Sequence, residues 1–265
     1  IVIFMPSIET GGADKNFFVI SNFLAKNFKN ISVITASKID KNKFNHDIEF
    51  ISPRLFTWNK FGRNIKSFIS ILILIKIFFK KKNILVLSFQ SNISAIILCK
   101  IFFKKIIKRS NSFPNDWTNN FIKKYIFKTV YPLADSNIVN SIQTKKDFIK
   151  NYNTKPTCIY NPVDVKKIKS LSTKSAPEIF KKNKLKIINV GRLSKEKDHI
   201  TFLKALHSLG NQVNYDAIIM GQGKMKTKIE EFIKDHNLKK NIRLIGYKPN
   251  PYPYIKQSDF VILTS

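Results

Sequence analysis

The run Leu185-Lys186-Ile187-Ile188-Asn189 leads into Val190-Gly191-Arg192-Leu193-Ser194-Lys195-Glu196-Lys197-Asp198-His199, and then into Ile200, Phe202, Leu203 and Leu206. The first run has the short apolar character of a strand, and the last four residues recur at helical spacing. A strand thus delivers an Arg and a Lys, five residues apart, to a loop that opens a helix. Two cations, backbone N–H groups and a helix N-terminus converging on one point suit a diphosphate. The arginine stands out because Arg54, Arg63, Arg109, Arg192 and Arg243 are the arginines among 47 basic residues. Taken alone, Lys197 also reads as a solvated cation of a lysine-rich chain, and Lys195 and Glu196 read as exposed spacers.

The alternation of strand and helix extends in both directions. Downstream, strand patterns fall at Leu185 to Val190, Tyr215 to Met220, Ile242 to Ile245 and Phe260 to Leu263. Helix patterns fall between them, at Asp198 to Leu209, Met225 to His236 and Tyr252 to Lys256. Upstream, strands are expected at Ile1 to Met5, Ile31 to Thr35, Ile48 to Ile51, Ile84 to Leu87, Ile106 to Lys108, Ser136 to Val139 and Thr157 to Tyr160. Helices are expected through Phe17 to Phe28, Ile65 to Phe79, Ile93 to Phe103 and Trp117 to Tyr131, and from a Ser141 cap to Tyr152. Asn161-Pro162-Val163-Asp164 breaks the pattern, and the stretch from Lys169 to Lys184 is polar and carries Pro177. Repeated βαβ units on either side imply an α/β fold with two doubly wound domains. The expected division is a first domain over 1–168, a linker over 169–184 and a second domain from 185 to 265. The chain opens at Ile1 inside a core-like strand and stops at Ser265 directly after another, so both ends are expected to be interrupted.

With 265 residues and 43% hydrophobic content the chain can fill one large core or two modest ones. Cys99 and Cys158 lie in apolar stretches and read as reduced, buried thiols. His46, His199, His207 and His236 show no ligand spacing, so no metal site is expected. The net charge of +30 favours anionic surfaces, either nucleic acid or acidic lipid. Lysine pairs and triplets such as Lys80-Lys81-Lys82, Lys104-Lys105 and Lys123-Lys124 flank apolar helices. That interleaving points to solvated faces or to a membrane surface. The strongest apolar run, Ser67 to Ile75, is about half of what spanning requires. No Ser/His/Asp triad, metal cluster or Walker A spacing occurs.

Other candidate positions sit where strands end. Gly11-Gly12 follows the first strand and opens a helix, either to approach a phosphate or to make a tight turn. Gly221-Gln222-Gly223 repeats that arrangement, and Gly246-Tyr247-Lys248-Pro249-Asn250 follows the next strand as a base-holding loop or a Pro-stiffened turn. Lys108-Arg109-Ser110-Asn111-Ser112 offers a cation and hydrogen-bonding groups, with Arg109 reading as a substrate anchor or as a helix-end cap.

Together these pieces resemble glycosyltransferase family 4, of the two-domain GT-B superfamily. Gly11-Gly12-Ala13-Asp14-Lys15 resembles its GGAE(R/K) loop, and Asn161-Pro162-Val163-Asp164 its NPVD-type hinge. Val190 to Lys197 resembles its GRL-x-x-x-K segment and Gly221-Gln222-Gly223 its G-x-G turn. Gly246 with Tyr254 to Ser265 resembles the run that precedes its E-x7-E motif, which would begin beyond Ser265. The resemblance implies a retaining glycosyltransferase that moves a sugar from a UDP- or GDP-sugar without an essential metal. It assigns Arg192 and Lys197 to the donor diphosphate as catalytic charge stabilisers. Gly11, Gly12, Gly191, Gly221, Gly223, Gly246 and Tyr247 are assigned to the donor site. Closure of the interdomain cleft would then assemble that site. Many members place a His where this chain has Arg109-Ser110-Asn111, so Arg109 and Asn111 become candidates for sugar or acceptor. The loop type implies a bacterial surface-polysaccharide enzyme with a polyprenyl-diphosphate-linked or glycan acceptor. It would sit in the cytoplasm, peripheral on the inner face of an anionic membrane, with no nucleic-acid partner. Without the E-x7-E segment the chain is expected to be inactive by itself. Two alternatives stay open at this point: another GT-B enzyme such as a sugar-nucleotide epimerase, and a nonenzymatic basic membrane- or nucleic-acid-binding protein.

Overall fold

The computed structural model describes residues 1–8, 12–53, 61–112, 120–210 and 212–264, with 12 and 13 described by backbone only. It divides into two compact units, Ile1–Pro162 and Val163–Ser265.

The first unit is built on seven parallel strands: β1 (Val2–Phe4), β2 (Ile31–Ile34), β3 (Ile48–Ile51), β4 (Leu85–Ser88), β5 (Lys105–Ser110), β6 (Ser136–Val139) and β7 (Thr157–Cys158). Their order is β3-β2-β1-β4-β5-β6-β7, so the winding reverses between β1 and β4. Among the described residues, five helices connect them: α1 (Gly12–Asn27), α2 (Arg63–Lys80), α3 (Asn92–Ile101), α4 (Phe121–Val130) and α5 (Ile142–Tyr152). Burial on both faces explains why β1 is apolar throughout and why β2 is apolar but for Ser32, whose buried hydroxyl donates to Glu49 Oε2 at 2.7 Å. One face packs Phe4, Leu74, Ile96, Ile106 and Phe148, and the other packs Ile3, Phe17, Val33 and Phe44. Ser141 caps α5 as its position suggested, accepting from the Thr144 N–H at 3.1 Å. Cys99 is buried, and burial pushes its thiol up to about 12.

The second unit carries the parallel strands β8 (Leu185–Val190), β9 (Tyr215–Met220), β10 (Ile242–Leu244) and β11 (Phe260–Val261), in the order β10-β9-β8-β11. Its helices are α6 (Val165–Ser172), α7 (His199–Leu209), α8 (Lys226–Asp235) and α9 (Tyr252–Lys256). The winding reverses at β8, which lies between β9 and β11. The expected α/β class and doubly wound sheets are therefore present in both units.

The boundary is a correction. Residues 163–168 do not belong to the first unit, and 169–184 are not a bare linker. Asp164 caps α6 by accepting from the Lys167 N–H at 2.9 Å, and Asn250 Nδ2 donates to the Leu171 carbonyl at 2.9 Å. Phe180 is buried with Ile188, Ile218, Met220 and Tyr254. The buried Asp216 accepts from the Lys181 N–H at 2.8 Å and from Arg243, which also donates to the Ile179 carbonyl. A polar segment is thus fastened by polar bonds, which hydrophobic periodicity does not register.

Candidate functional site

In a doubly wound sheet, ligands sit outside the carboxyl ends of the strands, where the winding reverses. In the second unit that place is the exit of β8. The Gly191 N–H continues the ladder by donating to the Met220 carbonyl at 3.0 Å. The chain then turns: the Leu193 N–H donates to Gln222 O at 3.0 Å and the Met225 N–H to Leu193 O at 3.0 Å. One strand further, the Gly221 N–H donates to the Gly246 carbonyl at 3.0 Å. The loops after β8, β9 and β10 are therefore sewn together backbone to backbone, and Gly191, Gly221 and Gly246 line up across three adjacent strand ends.

The glycines differ in what they do. A Cβ on Gly221 would stand 1.8 Å from the Gly191 carbonyl oxygen, and one on Gly223 would stand 2.3 Å from the Leu193 carbonyl oxygen. These two residues are glycine so that the loops can touch, and ligand approach is not needed to explain them. Gly246 has φ +71° with open space around it, which is the conformational reason for glycine. Gly191 is in neither situation, since its Cβ would make ordinary contacts with Lys197 and His199.

Beyond Leu193, which is buried, Ser194 leads into a single turn over Lys195–Lys197. The Ser194 N–H donates to Arg192 O at 2.8 Å and the Lys197 N–H to Ser194 O at 3.1 Å. Asp198 takes φ +37° and caps α7, accepting from Thr201 Oγ1 at 2.7 Å and from the Thr201 N–H at 3.3 Å. From the end of β11, Thr264 Oγ1 donates to Asp198 O at 2.9 Å and Lys197 O at 3.2 Å. Both strands flanking the reversal are thereby tied to the same loop. The side chains of Arg192 and Lys197 are exposed on it, as are those of Lys195 and Glu196. Glu196 is more than a spacer. A hydrogen bond from Ser194, followed by its own backbone N–H and the charges of Arg192 and Lys197, holds its carboxyl below the usual range. The loop therefore carries two exposed cations together with a carboxylate of its own. Tyr247 follows Gly246 and is 51% exposed.

His199 is the residue that sequence reasoning passed over. It is 2% exposed, and its Nε2 lies 3.1 Å from the Arg192 carbonyl oxygen. The available signal was its position as the first residue of a helix directly after the Arg/Lys loop.

The first unit places its candidates differently. Gly11 lies outside the described residues, and Gly12 is the first residue of α1. At the reversal between β1 and β4, the Ser7 N–H donates to Gln90 Oε1 at 3.0 Å, and the Ile8 N–H donates to Ser37 Oγ at 2.9 Å. Arg109 is a correction. It lies within β5, not in a loop, and it is 3% exposed. Its Nη2 donates to Asn161 Oδ1 at 3.0 Å and to Ile159 O at 3.3 Å, so it pins the end of the first unit and presents no open face to a substrate. Asn111 stands just past β5, where its carbonyl accepts from Asn140 Nδ2 at 3.1 Å. Its own Oδ1 is buried without a hydrogen bond. Beside them Lys108 is fully buried, with Nζ 3.6 Å from the Tyr131 ring centre and 4.2 Å from that of Phe148. Burial pulls its ammonium down to about 7. Among the described residues no cluster of His, Cys, Asp and Glu suits a metal ion.

Residues 172–265 match the family model of glycosyl transferases group 1, a span that falls wholly inside the second unit. The match covers about a third of the chain, and it is the likeness that this stretch bears to that family. A Campylobacter jejuni protein, N-acetylgalactosamine-N,N'-diacetylbacillosaminyl-diphospho-undecaprenol 4-alpha-N-acetylgalactosaminyltransferase, is 29% identical over 150 residues. That match takes in 56% of this chain and 40% of the relative. An uncharacterised glycosyltransferase of Methanocaldococcus jannaschii is 27% identical over 146 residues, 52% of this chain and 36% of the relative. The matched stretches thus span well under two thirds of both relatives. Among solved structures, Anabaena HepE in complex with UDP and glucose superposes with a TM-score of 0.70 at 15% identity. It covers 100% of this chain and 73% of that one. WaaG, a glycosyltransferase involved in lipopolysaccharide biosynthesis, gives 0.65 at 15% identity, over 100% of this chain and 75% of its own. At these identities the structures speak to fold alone, and each unit here is a Rossmann-like parallel α/β sheet. The loop bearing Arg192 and Lys197 lies inside the matched span.

Proposed function

We propose that this chain is part of a retaining hexosyltransferase that moves a sugar from a nucleoside-diphosphate sugar to a lipid-linked or glycan acceptor in bacterial surface-glycan synthesis. The observation that carries the reading is the backbone stitching of three strand-end loops beneath Arg192 and Lys197. It fixes two exposed cations at the reversal point of the unit that bears the group 1 match. In this reading the cations hold the donor diphosphate. As the glycosidic bond breaks, negative charge grows on the departing phosphate, and Arg192 and Lys197 offset it where a divalent ion would otherwise serve. Fixed before the reaction, they cost no reorganisation during it. Turnover in this account needs no metal. Gly246 and Tyr247, at the neighbouring strand end, are the candidates for the base.

The acceptor side of the reading draws on the Campylobacter relative's diphospho-undecaprenol substrate and on the surface of the first unit. Phe68, Leu72 and Phe79 of α2 are more than half exposed, and Phe103 beyond α3 is 95% exposed, among the lysines 80–82, 104 and 105. Apolar tips within a basic surround suit the headgroup zone of an anionic membrane. No helix among the described residues is long and apolar enough to cross one.

Calorimetry with UDP and GDP tests the donor half. The chain is expected to bind one of them, and Arg192→Ala with Lys197→Ala should weaken that binding at least about tenfold, since charge-assisted hydrogen bonds contribute about 1.5–3 kcal/mol each. Unchanged affinity in the double variant removes the assignment.

A further inference from the structure

We infer that His199 is a positioning residue for the proposed diphosphate loop, acting through the Arg192 backbone as an Nε2–H imidazole. The inference rests on the reading of that loop as the donor site. A carbonyl oxygen only accepts, so the ring nitrogen 3.1 Å from Arg192 O must carry the proton. The other nitrogen, Nδ1, is buried and makes no hydrogen bond. A lone pair there leaves no buried donor unpaired, as an N–H at Nδ1 would.

The ring's place gives the bond its consequence. A Cβ on Gly191 would stand 3.8 Å from His199 Cε1, so the imidazole lies directly under the turn that begins the loop. The Arg192 carbonyl it holds also accepts from the Ser194 N–H, and Ser194 in turn accepts from the Lys197 N–H. One imidazole donor thus anchors the peptide from which Arg192 projects and the turn that sets the spacing to Lys197. Asn189 lies on the same side of β8 as Gly191, two residues apart on a strand. It is 1% exposed, and its Nδ2 makes no hydrogen bond. Asn189 before the loop and His199 after it are thus both buried polar side chains.

Three forms of the chain distinguish the outcomes: the natural sequence, His199→Gln, which can keep a donor near the Nε2 position, and His199→Leu, which cannot. UDP and GDP affinities are measured by calorimetry, and thermal melting is followed in parallel. His199→Leu is expected to bind the preferred nucleotide about tenfold more weakly. His199→Gln is expected to stay within about threefold of the natural chain. Equal affinity in all three, or an equal loss in both variants at unchanged melting temperature, overturns the role of His199 alone. Nitrogen-15 imidazole spectra of the natural chain give a test that survives a variant failing to fold. They are expected to show the proton of the neutral ring at Nε2, and an Nδ1–H tautomer overturns the inference. If the natural chain binds neither UDP nor GDP, the diphosphate reading falls and this inference falls with it, whatever the imidazole spectra show.

Discussion

Glu196 and Gly221 show how far single positions can be reasoned. Glu196 lies between two cations in the sequence, and the Ser194 hydrogen bond, its own backbone N–H and then the charges of Arg192 and Lys197 lower its carboxyl, so in the proposed site it competes with a phosphate for them. Glu196→Gln is expected to tighten UDP or GDP binding about two- to fivefold, with the gain shrinking in high salt as exposed charges are screened. A loss of affinity would mean that Glu196 helps to hold the loop. Gly221→Ala and Gly191→Ala form a contrasting pair. The first drives a Cβ into a carbonyl oxygen and is expected to cost about 3 kcal/mol or more in denaturant unfolding, while the second stays within about 1 kcal/mol. Lys108 gives a pH signature. Its folded value near 7 lies below the ordinary 10.5, so between those values the unfolded chain holds a proton that the folded chain lacks. Stability is therefore expected to rise with pH from about 7 towards 10.5, and Lys108→Met should remove that part of the rise. An unchanged slope in Lys108→Met would assign the rise to the general relief of a +30 charge. The loop residues Arg192 and Lys197 were legible because a strand-loop-helix grammar frames them. Arg109 was read as a loop residue, whereas β5 runs two residues past the expected end at Lys108 and carries it into the interior.

The helices and strands themselves were largely readable. Strands 48–51, 136–139, 185–190 and 215–220 lie where they were expected, because each carries β-branched or other apolar residues that the sheet buries at least in part. What escaped was α6 and the segment after it. Val165 to Ser172 carries few apolar residues and none of them is buried; Asp164, Asn250 and the contact with α9 hold it in place. The exposed apolar positions of α2 and α3 were visible as runs, but only the fold shows Phe79 packing edge-on to Phe102, at 5.3 Å between ring centres, while remaining 78% exposed. Those tips belong to the proposed membrane contact. Flotation with vesicles of neutral or acidic lipid should show binding to the acidic ones alone, and Phe79→Ser with Phe103→Ser should reduce it. Absence of binding to both vesicle types would remove the contact.

Across the chain, one logic is used twice. Each unit winds its parallel sheet outward from a central reversal, and each puts its unusual polar chemistry at the strand exits there. Ser7, Ser37 and Gln90 stand at those exits in the first unit, and Arg192, Lys197 and Thr264 stand there in the second. The second unit carries the family match and the densest set of backbone ties, so it bears the weight of the functional account. A crystal structure of the chain grown with UDP or GDP tests that account most directly. It is expected to show terminal phosphate oxygens within hydrogen-bonding distance of Arg192 and Lys197, with the Glu196 carboxylate turned aside. A diphosphate bound elsewhere on the chain, with that loop empty, would contradict it.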